Sequence, residues 1–197
     1  MADGSTRPAQ AATGECTPQQ RFPKLASLID YLDSLTDRAD LDVLEQLLRE
    51  IDVSRCDLDP SCAFCDERYQ RNIIKESAWY ELVCLCWKSG QRTPIHDHRG
   101  SSCAFKVIEN AATEIRFEKS PSGLLCSSGT FVATPGYICA SHDEDIHQVL
   151  NANPPGEDVI TLHIYSPPLK NYRRYSLDSP TCDGQMEECT LHARAAM

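Results

Sequence analysis

The segment TPIHDHRGSSCAFKVIEN, residues 93–110, decides how the rest of this chain is read. It holds His96 and His98 one residue apart, and Cys103 five positions after the second histidine. On an extended strand alternate side chains share a face, so both imidazoles point the same way, about 6.5–7 Å apart along the backbone. Two rings at that spacing can grip one metal ion. The alternative is a pair of surface histidines beside an acidic residue.

The flanks of this segment read as short strands. Residues 79–87 (WYELVCLCW) form a dense β-forming run bounded by Lys88-Ser89-Gly90. Residues 103–109, 114–117, 129–133, 137–140 and 159–165 follow, separated by Gly, Pro, Asn and Ser. Many short strands with this punctuation predict an antiparallel barrel or jelly roll. Upstream, Leu25, Leu28, Ile29, Leu32 and Leu35 recur at helical spacing. Asp40 can cap a second helix carrying Leu41, Leu44, Leu47, Leu48 and Ile51, so two amphipathic helices fill roughly residues 24–52. The fold class is therefore mainly β, preceded by N-terminal helices. Residues 1–20 read as a disordered leader, 21–180 as one domain, and 181–197, with Cys182 and Cys189, as a loose polar tail.

Composition narrows the function. A chain of 197 residues can bury a substantial core. Its net charge of -10 argues against nucleic acid and anionic membranes as partners, because phosphate recognition needs clustered Lys and Arg. No apolar run reaches spanning length and no secretory h-region opens the chain, so the eleven cysteines read as reduced thiols of a cytoplasmic protein. The acidic surface favours a monomer. Cys62 and Cys65 have the C-x-x-C spacing of a zinc or redox pair, but no second pair follows at suitable spacing. Cys84 and Cys86 sit in an apolar strand and read as core.

A third metal ligand is found in His147 or in its neighbour His142; the spacing His147-x-x-x-Asn151 favours His147. Thr161, His163 and Tyr165 share one face of a strand, with Leu162 and Ile164 on the other. That polar face lines a polar cavity or faces solvent, since buried polar groups cost free energy unless paired.

Gly90, five residues, His96-x-His98, four residues and Cys103 resemble the first cupin motif, with Cys in the place of a usual ligand Glu. Pro135-Gly136 with His147-x-x-x-Asn151 resembles the second, over a longer gap. Tyr69-x-Arg71-Asn72, Cys86-Trp87, and Leu162-His163-x-Tyr165-Ser166-Pro167-Pro168 extend the match. Over about residues 25–175 these motifs together resemble the thiol dioxygenases, and among them the cysteine dioxygenases. Arg99-Gly100-Ser101-Ser102 departs from the animal members of that family.

The resemblance implies a cupin-type barrel binding mononuclear Fe(II) through His96, His98 and His147. Three neutral imidazoles leave such a site its full positive charge and open positions, whereas a 2-His-1-carboxylate set is commoner for non-haem iron. It implies that L-cysteine is held by its thiolate and amine, and that both atoms of O2 go to its sulfur to give cysteine sulfinic acid. Arg71 would receive the substrate carboxylate through its guanidinium fork, helped by Tyr69. Tyr165 would point at the reacting atoms, with His163 and Thr161 behind it in a relay, and Thr161 would join Arg71 and Tyr69 in touching the substrate. Cys103 would form a thioether crosslink to Tyr165, and Trp87 either lines the pocket or packs in the core. The Ser166-Pro167 bond falls where the family tends to a cis peptide. Two rivals remain: a dioxygenase of another small thiol such as 3-mercaptopropionate, whose relatives tend to carry Gln at the place of Arg71, and a non-catalytic cupin that senses a thiol or holds zinc or nickel.

Overall fold

The computed structural model describes residues 16–141, 145–170 and 172–177. Thr17 opens the first helical turn, α1 (Pro18–Arg21), through a capping box with Gln20. This turn lies at the end of the segment expected as leader, residues 1–20, of which residues 1–15 lie outside the described residues. The two expected helices are α2 (Ala26–Asp33), entered through a 3-10 turn at Pro23–Leu25, and α3 (Leu41–Glu50). Leu35 lies beyond the end of α2. Asp40 caps α3 as expected, its carboxylate accepting from the backbone N–H groups of Asp42 and Val43. The Cys/Asp/Pro stretch at 56–65 is partly helical. A Ser54–Asp57 capping box starts α4 (Arg55–Leu58), and a 3-10 turn at Asp59–Ser61 follows.

Among the described residues ten strands come next: β1 (Gln70–Glu76), β2 (Glu81–Trp87), β3 (Ile95–His96), β4 (Ser102–Glu109), β5 (Ala112–Lys119), β6 (Leu125–Ala133), β7 (Ile138–Ser141), β8 (Ile146–Leu150), β9 (Val159–Ser166) and β10 (Arg174–Tyr175). They pair antiparallel in two sheets, ordered β1-β2-β9-β4-β7 and β10-β3-β8-β5-β6, facing one another as the cupin-type barrel expected from the sequence. Strands β3 and β10 escape a sequence reading because two residues show no period. The polar and mixed residues of β8 hide it among its acidic neighbours.

The first sheet is covered on both faces, which explains why β2 and β9 are buried along their whole length. Leu82, Ala104, Ile160, Leu162 and Ile164 pack outward against Leu28, Leu32, Leu44 and Leu48 of the helical layer. Val83, Leu85, Trp87, Phe105, Val159 and Tyr165 point into the barrel. The strand alternation predicted for residues 161–165 therefore separates two cores rather than core from solvent. Two buried serines tie the helices on: Ser166 Oγ accepts from the Ala39 N–H and donates to the Trp79 carbonyl, while Ser102 Oγ donates to the Ala39 carbonyl. Among the described residues no helix is long and apolar enough to cross a membrane.

Candidate metal centre

The three histidines arrive from different elements. His96 ends β3, His147 lies opposite it in register on β8, and His98 follows two residues after His96 in the loop to β4. A backbone bolt sets this alignment. Gly90, at φ +81°, turns the chain so that its N–H donates to the Asn151 carbonyl, and the Asn151 N–H returns a bond to Gln91. The Asn151 side chain then donates to the carbonyls of Trp87 and Glu157. The Gly90 and Asn151 of the two sequence motifs thus do structural work, locking the ends of β2 and β8 together.

The imidazole rings lie 4.7–4.9 Å apart, centroid to centroid, and their ligand atoms all fall within 4.8 Å of one another. All three are buried. His96 Nδ1 contacts the Pro94 carbonyl at 3.0 Å and His147 Nδ1 contacts Glu114 Oε1 at 2.8 Å, which leaves Nε2 of each ring for a metal. His98 Nδ1 is buried with no hydrogen-bond partner among the described residues, where that ring packs against His147 and Tyr165. Burial, then the positive charge of neighbouring rings, lowers the pKa of His98 well below its ordinary value and that of His96 to about 3. Neutral imidazole is the form that binds metal. No Asp or Glu oxygen joins this cluster among the described residues. Asp97, between the two histidines, turns away: its carboxylate accepts from the backbone N–H groups of Arg99 and Arg173 and from the Tyr175 hydroxyl. The donor set therefore fits a divalent cation bound by imidazole nitrogen alone. His142, the rival ligand, lies outside the described residues.

Beside the triad, Arg71 and Tyr69 line the same cavity with His163, Tyr165 and the apolar Leu85, Val149 and Leu169. Arg71 pairs with the buried Glu81 at 2.7 Å, and its guanidinium sits 5.5 Å from the centre of the Tyr165 ring. Tyr69 stacks on Trp87, centroids 4.4 Å apart. From the cavity inward runs a hydrogen-bonded chain: Tyr165 hydroxyl to His163 Nδ1 at 3.2 Å, His163 Nε2 to Thr161 Oγ1 at 2.9 Å, and Trp87 Nε1 donating to Thr161 Oγ1 at 3.0 Å. Burial raises the Tyr165 pKa and lowers that of His163, so both are neutral near pH 7. Thr161, expected to touch substrate, is fully buried behind His163 and is absent from the cavity wall. Trp87 resolves likewise: it is interior and serves the chain of hydrogen bonds. Cys103 and Tyr165 are cross-strand partners on β4 and β9, both inside the barrel.

Three residues of the site escaped the sequence reading. Glu114 holds His147 and pairs with Arg116 at 3.3 Å; burial alone would raise its pKa, but the His147 hydrogen bond and the two neighbouring charges leave it lowered. Glu81 braces Arg71. Tyr172 meets His96 edge-to-face, ring centroids 5.7 Å apart, and accepts from Arg174. The available signal for Glu114 is its inward parity on β5, two residues from the buried Ala112.

Among solved structures, the chain is similar to an uncharacterized conserved protein with a double-stranded beta-helix domain from Klebsiella pneumoniae, 16% identical with a TM-score of 0.48 over 60% of this chain and 94% of that one. An RmlC-like cupin protein from Desulfovibrio desulfuricans is 22% identical with a TM-score of 0.41, over 54% of this chain and 89% of that one. In sequence, a protein of zebrafish (Danio rerio) named cysteine dioxygenase type 1 is 26% identical over 82% of this chain and 83% of its own. The rat (Rattus norvegicus) protein of the same name is 27% identical over 86% of each. The family described as cysteine dioxygenase type I matches residues 19–178, a range that covers most of the chain and contains the site, and the chain belongs to that family.

Proposed function

We propose that this protein is an iron-dependent dioxygenase that adds both atoms of O2 to the sulfur of L-cysteine, giving cysteine sulfinic acid. The observation that carries the reading is the meeting of three buried, carboxylate-free imidazoles with the Arg71 guanidinium and the Tyr165 phenol in one cavity. His96, His98 and His147 would hold the Fe(II). Held there, Fe(II) would supply the redox chemistry by which a thiol and O2 react, and the product lies at a generally irreversible rung of sulfur oxidation.

The chain's own residues bind and orient the substrate. Arg71, steadied by Glu81, offers N–H groups to the cysteine carboxylate, a charge-assisted contact of about 1.5–3 kcal/mol. Leu85, Val149 and Leu169 exclude water around it. Neutral His163 has one proton for two hydroxyl contacts. With Trp87 donating to Thr161 and Thr161 donating to His163 Nε2, His163 Nδ1–H donates to the Tyr165 oxygen, and the Tyr165 O–H is left for the cavity. Thr161 thus positions rather than binds. The in-register pairing of Cys103 with Tyr165 supports a thioether between them, which would fix the phenol. A doublet on denaturing gels that disappears in Cys103→Ser tests that bond.

The reading includes a cytoplasmic protein, since the cysteines of the described residues form no disulfide and suit a reducing compartment, and a monomer, since the net charge of -10 opposes self-association. The decisive experiment incubates iron-loaded protein with L-cysteine and isotopically labelled O2, and follows uptake and product mass. Sulfinate carrying two labelled oxygens is expected; absence of uptake with iron confirmed bound overturns the proposal. Arg71 favours an amino acid thiol over 3-mercaptopropionate, and preference of the native protein for the latter would overturn the substrate assignment alone.

A further inference from the structure

The face of β2 turned away from the histidines carries a second convergence of ligand atoms. Cys84 and Cys86 alternate with Val83, Leu85 and Trp87, so they point out of the barrel toward the helical layer. Cys62, directly after the 3-10 turn at Asp59–Ser61, packs against that layer. The sulfurs of Cys62, Cys84 and Cys86 all lie within 4.8 Å of one another, and those of Cys84 and Cys86 are 4.0 Å apart. Zinc–thiolate bonds of about 2.3 Å place the sulfurs of a three-thiolate set about 3.8–4.0 Å apart. The cluster is thus within side-chain adjustment of a metal-bound geometry.

We propose that Cys62, Cys84 and Cys86 form a three-thiolate site for a thiophilic d10 cation, Zn(II) in the first place. Soft sulfur ligands select Zn(II) and Cu(I), and the divalent ion leaves the smaller net negative charge in a buried setting. Outer partners are in position. The Asn72 amide donates to Cys86 Sγ at 3.5 Å and to the Ala63 carbonyl at 2.9 Å, tying the ligand strand to the ligand loop. The positive charge of Arg55 acts on Cys62. The Cys62 thiol donates to the Leu58 carbonyl at 3.2 Å. Thiolate is the form that binds metal, so binding releases protons and affinity rises with pH. Cys62 is half-buried, which gives the ion a way in and a water the fourth position.

The C-x-x-C motif of the sequence is split by the fold. Cys62 joins the cluster, while Cys65 stays out of it and its carbonyl accepts from the Gln91 amide. The partners of Cys62 come from the strand read as plain core. An ion here would pin the loop after α4 onto β2, directly behind Leu85 and beside the strand that carries Arg71.

The test titrates the full-length, iron-loaded protein with Cd(II), a d10 reporter whose thiolate charge-transfer band does not arise from histidine. One equivalent per chain with that band is expected, with iron content unchanged. Cys62→Ser and Cys86→Val should each weaken Cd(II) binding at least 100-fold, beyond the 10–100-fold typical of losing an outer partner. Cys65→Ser should leave it within about twofold. Zn(II) should compete the band away. A parent protein without a stoichiometric thiolate band, or a band that survives in Cys62→Ser, overturns the proposal. Should Cys86→Val fail to fold, the Cys62 and Cys65 pair of variants decides it, since both positions are only partly buried.

Discussion

Replacing Glu114 probes whether the metal centre is set by the residue behind the ligand as much as by the ligand. Glu114 Oε1 accepts the Nδ1 proton of His147 at 2.8 Å, with both side chains no more than 4% exposed. A hydrogen bond to a buried carboxylate contributes about 1.5–3 kcal/mol. Loss of such an outer partner typically weakens metal binding 10–100-fold, which is about 1.4–2.7 kcal/mol, so the two estimates agree. Glu114→Ala removes acceptor and charge together and should weaken metal binding within that range. Glu114→Gln keeps an acceptor but drops to a neutral hydrogen bond, about 1 kcal/mol weaker, and should cost about fivefold. Arg116, which also contacts Glu114, is 43% exposed and can turn to water in either variant. The assay is chelator competition with anaerobic Fe(II) on protein whose metal-free melting has been measured. Should Glu114→Ala bind metal within twofold of the parent while still folded, Glu114 does not fix the orientation of His147 and the reasoning fails.

Other consequences can be checked by melting and kinetics. Ser166→Ala leaves the Ala39 N–H and the Trp79 carbonyl without their partner and should cost about 2–3 kcal/mol, lowering Tm by about 4–12 °C; an unchanged Tm would show that water replaces the hydroxyl. Lys106 reaches across to the end of α3, donating to the carbonyls of Leu48 and Ile51 at 2.9 and 2.6 Å, so Lys106→Met should cost about 1–2 kcal/mol in thermal unfolding. Asp33 is bonded by Lys75, Tyr80 and Gln19; burial alone would raise its pKa, but these partners leave it lowered. A depressed carboxylate stabilises the fold above its unfolded pKa of about 3.9 and loses that contribution as pH falls through the lower folded value. The Tm difference between the parent and Asp33→Asn should therefore be full at pH 7 and shrink below about pH 4; a difference that grows with acid would contradict the assignment. Arg71→Gln should raise KM for L-cysteine more than it lowers turnover, in steady-state oxygen uptake, because it removes a charge-assisted carboxylate contact worth about 1.5–3 kcal/mol.

Much of this was legible in the chain itself, for reasons of period and punctuation. The alternation of Leu162 and Ile164 with Thr161, His163 and Tyr165 determined which side chains share a face, because strand geometry leaves no other choice. The spacing His96-x-His98 likewise put two imidazoles together, and Asp40 announced the start of α3 through the unpaired N–H groups that any helix leaves at its beginning. Tertiary structure alone decided what those faces meet. Nothing local tells that Glu114, 33 residues before His147, would stand behind it, that Glu81 would brace Arg71, or that Thr161 would be screened from the cavity by His163. The same holds for Cys62, whose sequence neighbour Cys65 is a poorer partner than Cys84 and Cys86 more than twenty residues away. Sequence patterns record the repeat of one backbone, whereas pairing between strands and loops is settled by which buried polar groups can satisfy one another once the two sheets close.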